Sequence, residues 1–387
     1  MTTITPRKPR YESLDIWRGV ACLSVLIYHL VGDDAFTVNL PSKLTRVLAF
    51  GWLGVPMFFV ISGYCIAATS DSAGRNKKSF SWYVQRRIRR IYPPYWICLI
   101  ASALAITFGL VGPDIGKPSG LSLVHWIGNI TLTETWLSRC VEGSTAFVLK
   151  PAWTLCYEEQ FYLVCGLTLF LGRARQFKAL LVVTALVVPC CLMSWYTTGM
   201  AHGFFFDGLW LHFSAGLLVY YLRNYATRSG QIAGVTALFV VLVIVVGLRV
   251  FTSPDIINSL SRCRFFDETA FSILFAFLLL AAQRYDLQIA SHWLTKPFLA
   301  CGIMCYSLYL THLPVISGIR LLIHGSPSEP PLIPLIELLI ELAAALFVGA
   351  CFYRLVEIYF LNKPTLATAK IENPTIHTST LIEETTT

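Results

Sequence analysis

The chain has 387 residues, of which 55% are hydrophobic and only 13% are charged. Because a soluble domain usually has about 25% charged residues, this composition excludes a soluble globular protein and predicts a polytopic membrane protein. Orientation in the membrane accounts for the net charge of +8, and no nucleic-acid partner is expected. The 12 cysteines include no CxxC pair, so no metal site is predicted.

Ten apolar segments are long enough to cross a bilayer, and they predict an all-α fold: a polytopic bundle of about ten transmembrane helices. With the N-terminus inside, the inner segments hold 19 Lys and Arg residues and the outer segments hold 9. This bias predicts that both termini are cytoplasmic. Residues 1–364 are expected to form one membrane-embedded domain, and the polar residues 365–387 a disordered cytoplasmic tail. The segments cover residues 14–32, 51–70, 94–112, 152–171, 179–198, 204–222, 232–251, 266–283, 297–318 and 333–358.

The first segment has an arginine near its start and a histidine near its end. Arg18 and His29 are eleven residues apart. On a helix this is three turns plus about 20°, so the two side chains share a face and lie about 16 Å apart along the axis. Ionisable groups at membrane depth are costly and usually face a protein interior or a water-filled cavity. This helix is therefore predicted to form one wall of a functional site.

A dense cationic cluster follows the second segment, within SFSWYVQRRIRRIYPPYW at residues 79–96. Its arginines are Arg86, Arg87, Arg89 and Arg90. They are predicted to lie on a short helix that ends at Pro93 and Pro94. Two interpretations stay open: attraction to anionic lipid, and a seat for a phosphorylated cytoplasmic ligand, since guanidinium groups bind phosphate bidentately.

The fourth segment begins with two adjacent carboxylates, within KPAWTLCYEEQFYL at residues 150–163. Glu158 and Glu159 point about 100° apart on a helix, so one can face the bundle while the other leans toward the outer interface. Glu158 is expected at a depth similar to that of His29. Two carboxylates at membrane depth cost several kcal/mol, which favours a function, although a satisfied helix–helix hydrogen bond is the structural alternative.

The last two segments contain further polar groups. His312 is expected at the outer side of the ninth segment, with Tyr306 and Tyr309 below it. In the tenth segment, Arg354 and Glu357 are three residues apart, so they are expected to pair on one helix face.

These motifs resemble the acyltransferase-3 family of integral membrane O-acyltransferases. That family has about ten spans, a first span with Arg, ten residues and then His, and an arginine-rich segment that runs into Tyr-Pro. It also has a Trp-Ser-Leu-x-x-Glu-Glu-Gln-Phe-Tyr segment, a Tyr-Ser-x-Tyr-Leu-x-His segment and a closing Glu-to-Pro segment. All five blocks occur here in order over about residues 11–364, with Thr154 in place of the serine.

The resemblance implies transfer of an acyl group, most often acetyl, from cytoplasmic acyl-CoA to a hydroxyl of a cell-surface or secreted carbohydrate. Exopolysaccharide, O-antigen and lipochitooligosaccharide are the acceptors it implies. Acetyl-CoA is then a donor substrate, and no cofactor stays bound. The expected location is a bacterial inner membrane, and the expected partners are the bilayer, the two substrates and polysaccharide-assembly proteins.

The expected catalytic residues are His29, Arg18 and Glu158. A sugar hydroxyl is a poor nucleophile near neutral pH, so His29 is the candidate base or, alternatively, a transient acyl carrier. Glu158 is expected to orient the imidazole, and Arg18 to contact the pantetheine end or the thioester oxygen. The arginines of residues 86–90 are expected to hold the CoA phosphates. The expected substrate-binding residues are Glu159, Tyr309 and His312.

A proton-coupled membrane transporter is the competing class, since helices broken by Gly and Pro, with intramembrane His and Glu, also suit a carrier. A polysaccharide-export factor is a further alternative. The two halves of the sequence have no obvious inverted repeat, and the arginine cluster has no natural role in a carrier. Donor dependence separates these classes, because only the enzyme should consume acyl-CoA.

Overall fold

The computed structural model describes residues 11–31, 42–112, 120–198, 207–251, 260–325 and 334–361. Within these residues the regular structure is helical, with no strand, which confirms the all-α prediction. The one-domain assignment, the count of ten spans and the cytoplasmic placement of both termini stay predictions. The predicted tail, residues 365–387, lies outside the described residues.

The helices are, in chain order, α1 (Leu14–Val31), α2 (Ser42–Ala49), α3 (Gly54–Arg75), α4 (Phe80–Thr107), α5 (Leu123–Thr131), α6 (Leu137–Glu142), α7 (Ala152–Leu167) and α8 (Arg173–Thr198). They continue with α9 (Leu209–Asn224), α10 (Arg228–Phe251), α11 (Leu260–Ala282), α12 (Asp286–Ser291), α13 (Lys296–Ile303), α14 (Cys305–His324) and α15 (Pro334–Phe352). A π-helical turn, Tyr353–Glu357, and a last turn, Ile358–Phe360, extend α15.

Among the described residues, six helices are long and apolar enough to cross a membrane by length and composition. This finding agrees with a multi-pass membrane protein. The six runs are Leu14–Val31, Val47–Arg75, Arg228–Val250, Phe265–Ala282, Cys305–His324 and Leu335–Phe360.

Two helix pairs cross so closely that only glycine fits at the contact. A Cβ on Gly302 of α13 would lie 1.7 Å from the carbonyl oxygen of Asp15 on α1. A Cβ on Gly216 of α9 would lie 1.8 Å from the carbonyl oxygen of Val60 on α3. Small residues allow such close approach between helices in a membrane. The first crossing presses α1 against α13, and the second presses α3 against α9.

Buried charged side chains anchor both ends of α1. At its start, Asp286 accepts a hydrogen bond from the backbone N–H of Ser13 at 2.8 Å. At its end, Arg320 donates to the carbonyl oxygen of Leu30 at 2.9 Å and to Glu341 at 2.8 Å. A cation at a helix C-terminus is favourable because it complements the helix dipole. These contacts fix the depth and the rotation of α1.

Helix α4 continues through its proline pair, so the prediction of a short arginine helix that ends there is wrong. Pro93 and Pro94 lie inside α4, where they remove two backbone donors. Neighbouring helices can support such a backbone in a membrane protein. The carbonyl oxygens that lose their helical donor lie four residues before each proline, and close to them α14 contacts this helix: the hydroxyl of Tyr306 donates to the carbonyl oxygen of Ile91 at 2.8 Å. The arginine cluster therefore lies on the same helix as the apolar segment that follows it.

Glu357 is held by α14 rather than by Arg354. Its carboxylate accepts hydrogen bonds from the backbone N–H of Ser307 at 3.1 Å and from the Ser307 hydroxyl at 2.5 Å. Glu357 is buried, whereas Arg354 is exposed. Because a π-helical turn changes the angular spacing of side chains, three-residue spacing no longer places this pair on one face. The predicted Arg354–Glu357 pair is therefore replaced by a contact between α14 and the end of α15.

Candidate active site

A cavity of about 390 Å³ lies between α1, α3, α4, α7 and α14. Small-molecule sites usually measure about 300–1,000 Å³, so this cavity can hold a ligand. Its charged lining residues are Asp15, Arg18, Arg87, Arg90 and Glu158. Three guanidinium groups against two carboxylates favour an anionic ligand. Ionisable groups among apolar helices mark functional sites by default.

Arg18 is fixed at the cavity wall by contacts from two helices. Its Nη1 donates to Asp15, one turn earlier on α1, at 2.7 Å. Its Nη2 donates to the sulfur of Cys65 on α3 at 3.0 Å. The predicted wall position of Arg18 is therefore seen, and the guanidinium is held in one orientation before any ligand binds.

A chain of hydrogen bonds connects Arg87 to Glu158 across the cavity. Arg87 donates to the hydroxyl of Tyr162 at 2.7 Å, and that hydroxyl donates to Glu158. Glu158 also accepts a hydrogen bond from the hydroxyl of Ser62 on α3. The carboxylate therefore positions Arg87 through Tyr162, while Ser62 fixes the carboxylate itself.

The arginine cluster divides between two environments. Arg87 and Arg90 line the cavity, as residues three apart on one helix face do. Arg86 instead lies over the ring of Trp82, with its guanidinium carbon 4.8 Å from the ring centroid, and Arg89 is exposed. Two of the four arginines predicted to hold CoA phosphates are thus placed at the cavity, and the other two fit a role at the membrane surface.

His29 lies beside a second histidine. The ring centroids of His29 and His312 are 5.2 Å apart. Nδ1 of His312 lies 3.0 Å from the carbonyl oxygen of Leu308 and 2.9 Å from that of Tyr309. A ring nitrogen that faces carbonyl oxygens holds the hydrogen, so these hydrogen bonds assign the lone pair to Nε2. His312 is only 3% exposed, and among the described residues its Nε2 has no hydrogen-bond partner.

The structure does not bring Glu158 to His29. A hydrogen bond of 2.6 Å joins the hydroxyls of Thr154 on α7 and Tyr309 on α14. Glu158 lies one turn along α7 from Thr154, while His312 lies almost one turn along α14 from Tyr309. With α7 and α14 in opposite directions, as the sequence predicts, Glu158 and the histidines would be about two turns apart in depth. The ring that faces His29 is His312.

One face of α1 connects the charged cavity to the histidines. Arg18 and Val25 line the 390 Å³ cavity, and Val25 also lines a second cavity of about 10 Å³ whose wall includes His312. His29 follows Val25 by one turn of α1. The predicted arrangement, with Arg18 and His29 on one helix face, is therefore present along this path.

The remaining predicted residues differ in position. Tyr309 lines both cavities. Glu159 is not part of either cavity wall, and among the described residues one of its carboxyl oxygens is buried without a hydrogen-bond partner. Three further residues at the cavity were not predicted from the sequence: Ser62, Cys65 and Tyr162. Only Tyr162 left a signal, because it follows Glu158 by four residues and so shares its helix face.

The donor set at the cavity suits phosphate better than a metal. Arginine side chains have five N–H donors in a fork that matches phosphate oxygens. Within the described ranges, no group of three or more His, Cys, Asp or Glu side chains is placed to hold a metal ion. The absence of a bound metal stays a prediction.

Three relatives are similar to this chain over different lengths. The O-acetyltransferase OatA of Staphylococcus aureus (strain NCTC 8325 / PS 47) is 25% identical over 370 residues, which are 90% of this chain and 57% of that protein. The "Putative acetyltransferase ORF330" of Acidianus two-tailed virus is 26% identical over 318 residues, 79% of this chain and 82% of that protein. The "Putative peptidoglycan O-acetyltransferase YrhL" of Bacillus subtilis (strain 168) is 30% identical over 186 residues, 46% of this chain and 27% of that protein.

The chain thus spans little more than half the length of the OatA relatives. No solved structure matches it. The family model described as an acyltransferase domain, acyltransferase-3, matches residues 11–354. This match covers the described helices from α1 into the π-helical turn that follows α15. The chain therefore belongs to the acyltransferase-3 family.

Proposed function

We propose that this protein is a membrane O-acetyltransferase that moves an acetyl group from cytoplasmic acetyl-CoA to a hydroxyl of a cell-surface or secreted carbohydrate. The observation behind the proposal is the shared face of α1, which joins an arginine-lined cavity to a pair of histidines. Membership of the acyltransferase-3 family and relatives named O-acetyltransferases support the reaction class.

The donor binds in the 390 Å³ cavity. Arg87 and Arg90 line it from α4, and their guanidinium groups suit the phosphates of CoA. Glu158 acts as a positioning residue, because it holds Arg87 through Tyr162. Since Arg18 and His29 are about 16 Å apart along α1, Arg18 contacts the pantetheine arm rather than the reacting carbonyl.

The reaction takes place at the histidine pair. His29 removes the proton of the acceptor hydroxyl, the hydroxyl oxygen attacks the thioester carbonyl carbon, and the carbon–sulfur bond breaks. CoA leaves as a thiolate and takes the proton back from the imidazolium. In the alternative order, an imidazole nitrogen of His29 attacks the thioester carbonyl carbon and CoA leaves as a thiolate. The acceptor hydroxyl oxygen then attacks the acyl carbon, the carbon–nitrogen bond breaks, and the hydroxyl proton goes to the CoA thiolate. Both orders give one CoA and one ester per turnover.

The acceptor is a sugar. One relative is named for peptidoglycan, and the family resemblance also implies exopolysaccharide, O-antigen and lipochitooligosaccharide. The proposed location is a bacterial inner membrane, with polysaccharide-assembly proteins as partners.

Acetyl-CoA turnover by the full chain, purified and reconstituted in lipid, tests the proposal. Peptidoglycan fragments and chito-oligosaccharides serve as acceptors, and both CoA release and the mass of the acylated sugar are measured. Wild type should release one CoA per acetylated sugar, and His29→Ala should release none. His292 is exposed and lines neither cavity, so His292→Ala is the matched control and should keep the wild-type rate. No CoA release with any acceptor, together with no acetyl-CoA binding, would contradict the proposal and favour a carrier.

A further inference from the structure

A small cavity adjoins the donor cavity and has His312 of the histidine pair in its wall. Its volume is about 10 Å³, which is room for about one water-sized group. It shares three lining residues with the donor cavity: Val25, Phe58 and Tyr309. The rest of its wall is formed by Cys22, Leu26, Leu308 and His312. The two cavities are therefore adjacent, and His312 forms part of the wall of the smaller one.

The chemistry of this wall suits a methyl group better than a water molecule. A buried water needs two to four polar partners. Aliphatic and aromatic side chains dominate the wall. Its polar groups are the imidazole of His312, the hydroxyl of Tyr309, which is already hydrogen-bonded to Thr154, and the thiol of Cys22, which bonds only weakly. Nδ1 of that imidazole is already used by carbonyl oxygens of its own helix. The site thus offers one free acceptor beside an apolar space.

The wall is also rigid. The hydrogen bond between Tyr309 and Thr154, 2.6 Å long, fixes the Tyr309 ring. Leu308 is 1% exposed and packs against Gly349 of α15, where a Cβ would lie 2.4 Å from the Leu308 Cδ2 atom. Close-packed walls of this kind respond to a change of even one methylene group. The cavity therefore cannot widen to admit a longer chain at low cost.

We propose that this cavity is the subsite for the methyl group of the transferred acetyl, and that Phe58 and Leu26 restrict the donor to a two-carbon acyl group. The inference rests on the proposed function and adds to it the residues that select the acyl chain. The methyl fills the apolar space, which places the carbonyl carbon beside the histidine pair. Propionyl and butyryl groups would have to displace Phe58, Leu26 or Leu308.

The test compares donors of increasing chain length on wild type, Phe58→Ala and Leu26→Ala. Each protein is purified as the full chain, reconstituted in lipid and supplied with acetyl-, propionyl- or butyryl-CoA and the acceptors above. Wild type should prefer acetyl-CoA to butyryl-CoA by about 10-fold or more in kcat/KM, as one or two extra methylenes in a fitted pocket require. Both variants should reduce that ratio to about 2-fold, because removing either side chain opens space beyond the methyl.

Ile316→Ala is the matched control. Ile316 is 3% exposed and packs in the same apolar cluster as Leu26, but it lines neither cavity. Its chain-length ratio should equal that of wild type, whatever its overall rate. Size-exclusion profiles establish that each variant is folded, and Leu26→Ala still tests the proposal where Phe58→Ala does not fold.

The outcomes separate the two proposals. Wild-type turnover of acetyl-CoA with an unchanged chain-length ratio in Leu26→Ala would overturn the subsite and leave the proposed function intact. If wild type used butyryl-CoA as fast as acetyl-CoA, the subsite would likewise be overturned and the proposed function would stand. Absence of turnover with every donor, together with no acetyl-CoA binding, would overturn both.

Discussion

The face of α1 that carries Arg18 and His29 joins two regions that differ in how their polar groups are hydrogen-bonded. The arginine region comprises the charged residues that line the 390 Å³ cavity. In the arginine region, Arg18 is bonded to Asp15 and Cys65, and Glu158 accepts two hydroxyl hydrogens. In the histidine region, which comprises His29 and His312, a buried ring nitrogen of His312 has no partner among the described residues. A buried polar atom without a partner costs about 1–3 kcal/mol. The arginine region is thus organised to hold a ligand, while the histidine region keeps a lone pair free.

This difference separates the kinetic effects expected from each region. A group that binds substrate and transition state equally changes KM, whereas a group that acts only during the reaction changes kcat. Variants of the arginine region should therefore raise the KM for acetyl-CoA. Variants of the histidine region should lower kcat.

The largest effect is expected from His29→Ala. Removal of a general base lowers the rate by about 10²–10⁴-fold, and loss of an acyl carrier would stop transfer altogether. Acetylated sugar and free CoA should both disappear, while acetyl-CoA binding measured by isothermal calorimetry should persist. Loss of binding together with turnover would place His29 in donor recognition and remove the contrast between the two regions.

A smaller loss, about 10- to 100-fold in kcat, is expected from His312→Ala. Its Nε2 lies in the histidine region with a lone pair free to accept a proton or a hydrogen bond. General acid–base groups contribute about 10²–10⁴-fold when they act directly, and a group that acts beside the principal base should contribute less. Steady-state kinetics with varied acceptor measure the effect. A raised acceptor KM with normal kcat would instead support the substrate-binding role predicted from the sequence.

Arg87→Ala should weaken acetyl-CoA binding by at least about 10-fold, since hydrogen bonds to charged groups contribute about 1.5–3 kcal/mol. Arg89→Ala, in an exposed arginine two residues away, should change it by less than about 2-fold. Calorimetric titration of both variants with acetyl-CoA makes the comparison. Equal losses would mean that the cluster acts through its total charge, as attraction to anionic lipid would require.

Patterns within one helix could be predicted from the sequence. The first segment, predicted at residues 14–32, is a helix at Leu14–Val31, because its apolar run is continuous. Arg18 and His29 share a face because three helical turns separate them. The same periodicity could have predicted which arginines face the cavity together, since Arg87 and Arg90 are three residues apart and therefore lie on the same helix face.

Contacts between helices could not be predicted. The pairing of Glu158 with Ser62 and Tyr162, rather than with His29, depends on the depth of α7 beside α14. Apolar runs give that depth only to within a few residues, and a shift of one turn moves a side chain about 5.4 Å. The end of α4 was misjudged for a related reason. The helix continues through its proline pair beside a contact with another helix, from Tyr306 to Ile91, which no local pattern records.

The smallest effect is expected from Tyr309→Phe, at the boundary between the two regions. Its hydroxyl shares a hydrogen bond of 2.6 Å with Thr154, and a net hydrogen bond contributes about 0.5–1.5 kcal/mol. Thermal unfolding in detergent should show that loss, and kcat/KM should fall by about 2- to 10-fold because Tyr309 lines both cavities.

Thr154→Val and the double variant complete a double-mutant cycle for this contact. If the hydrogen bond sets the depth of α7 beside α14, the double variant should lose no more stability to unfolding than either single variant. A loss of stability in the double variant equal to the sum of the two single losses would mean that the two hydroxyls act separately. The register that separates Glu158 from the histidines would then have to come from packing alone, and the two regions would be joined only through α1.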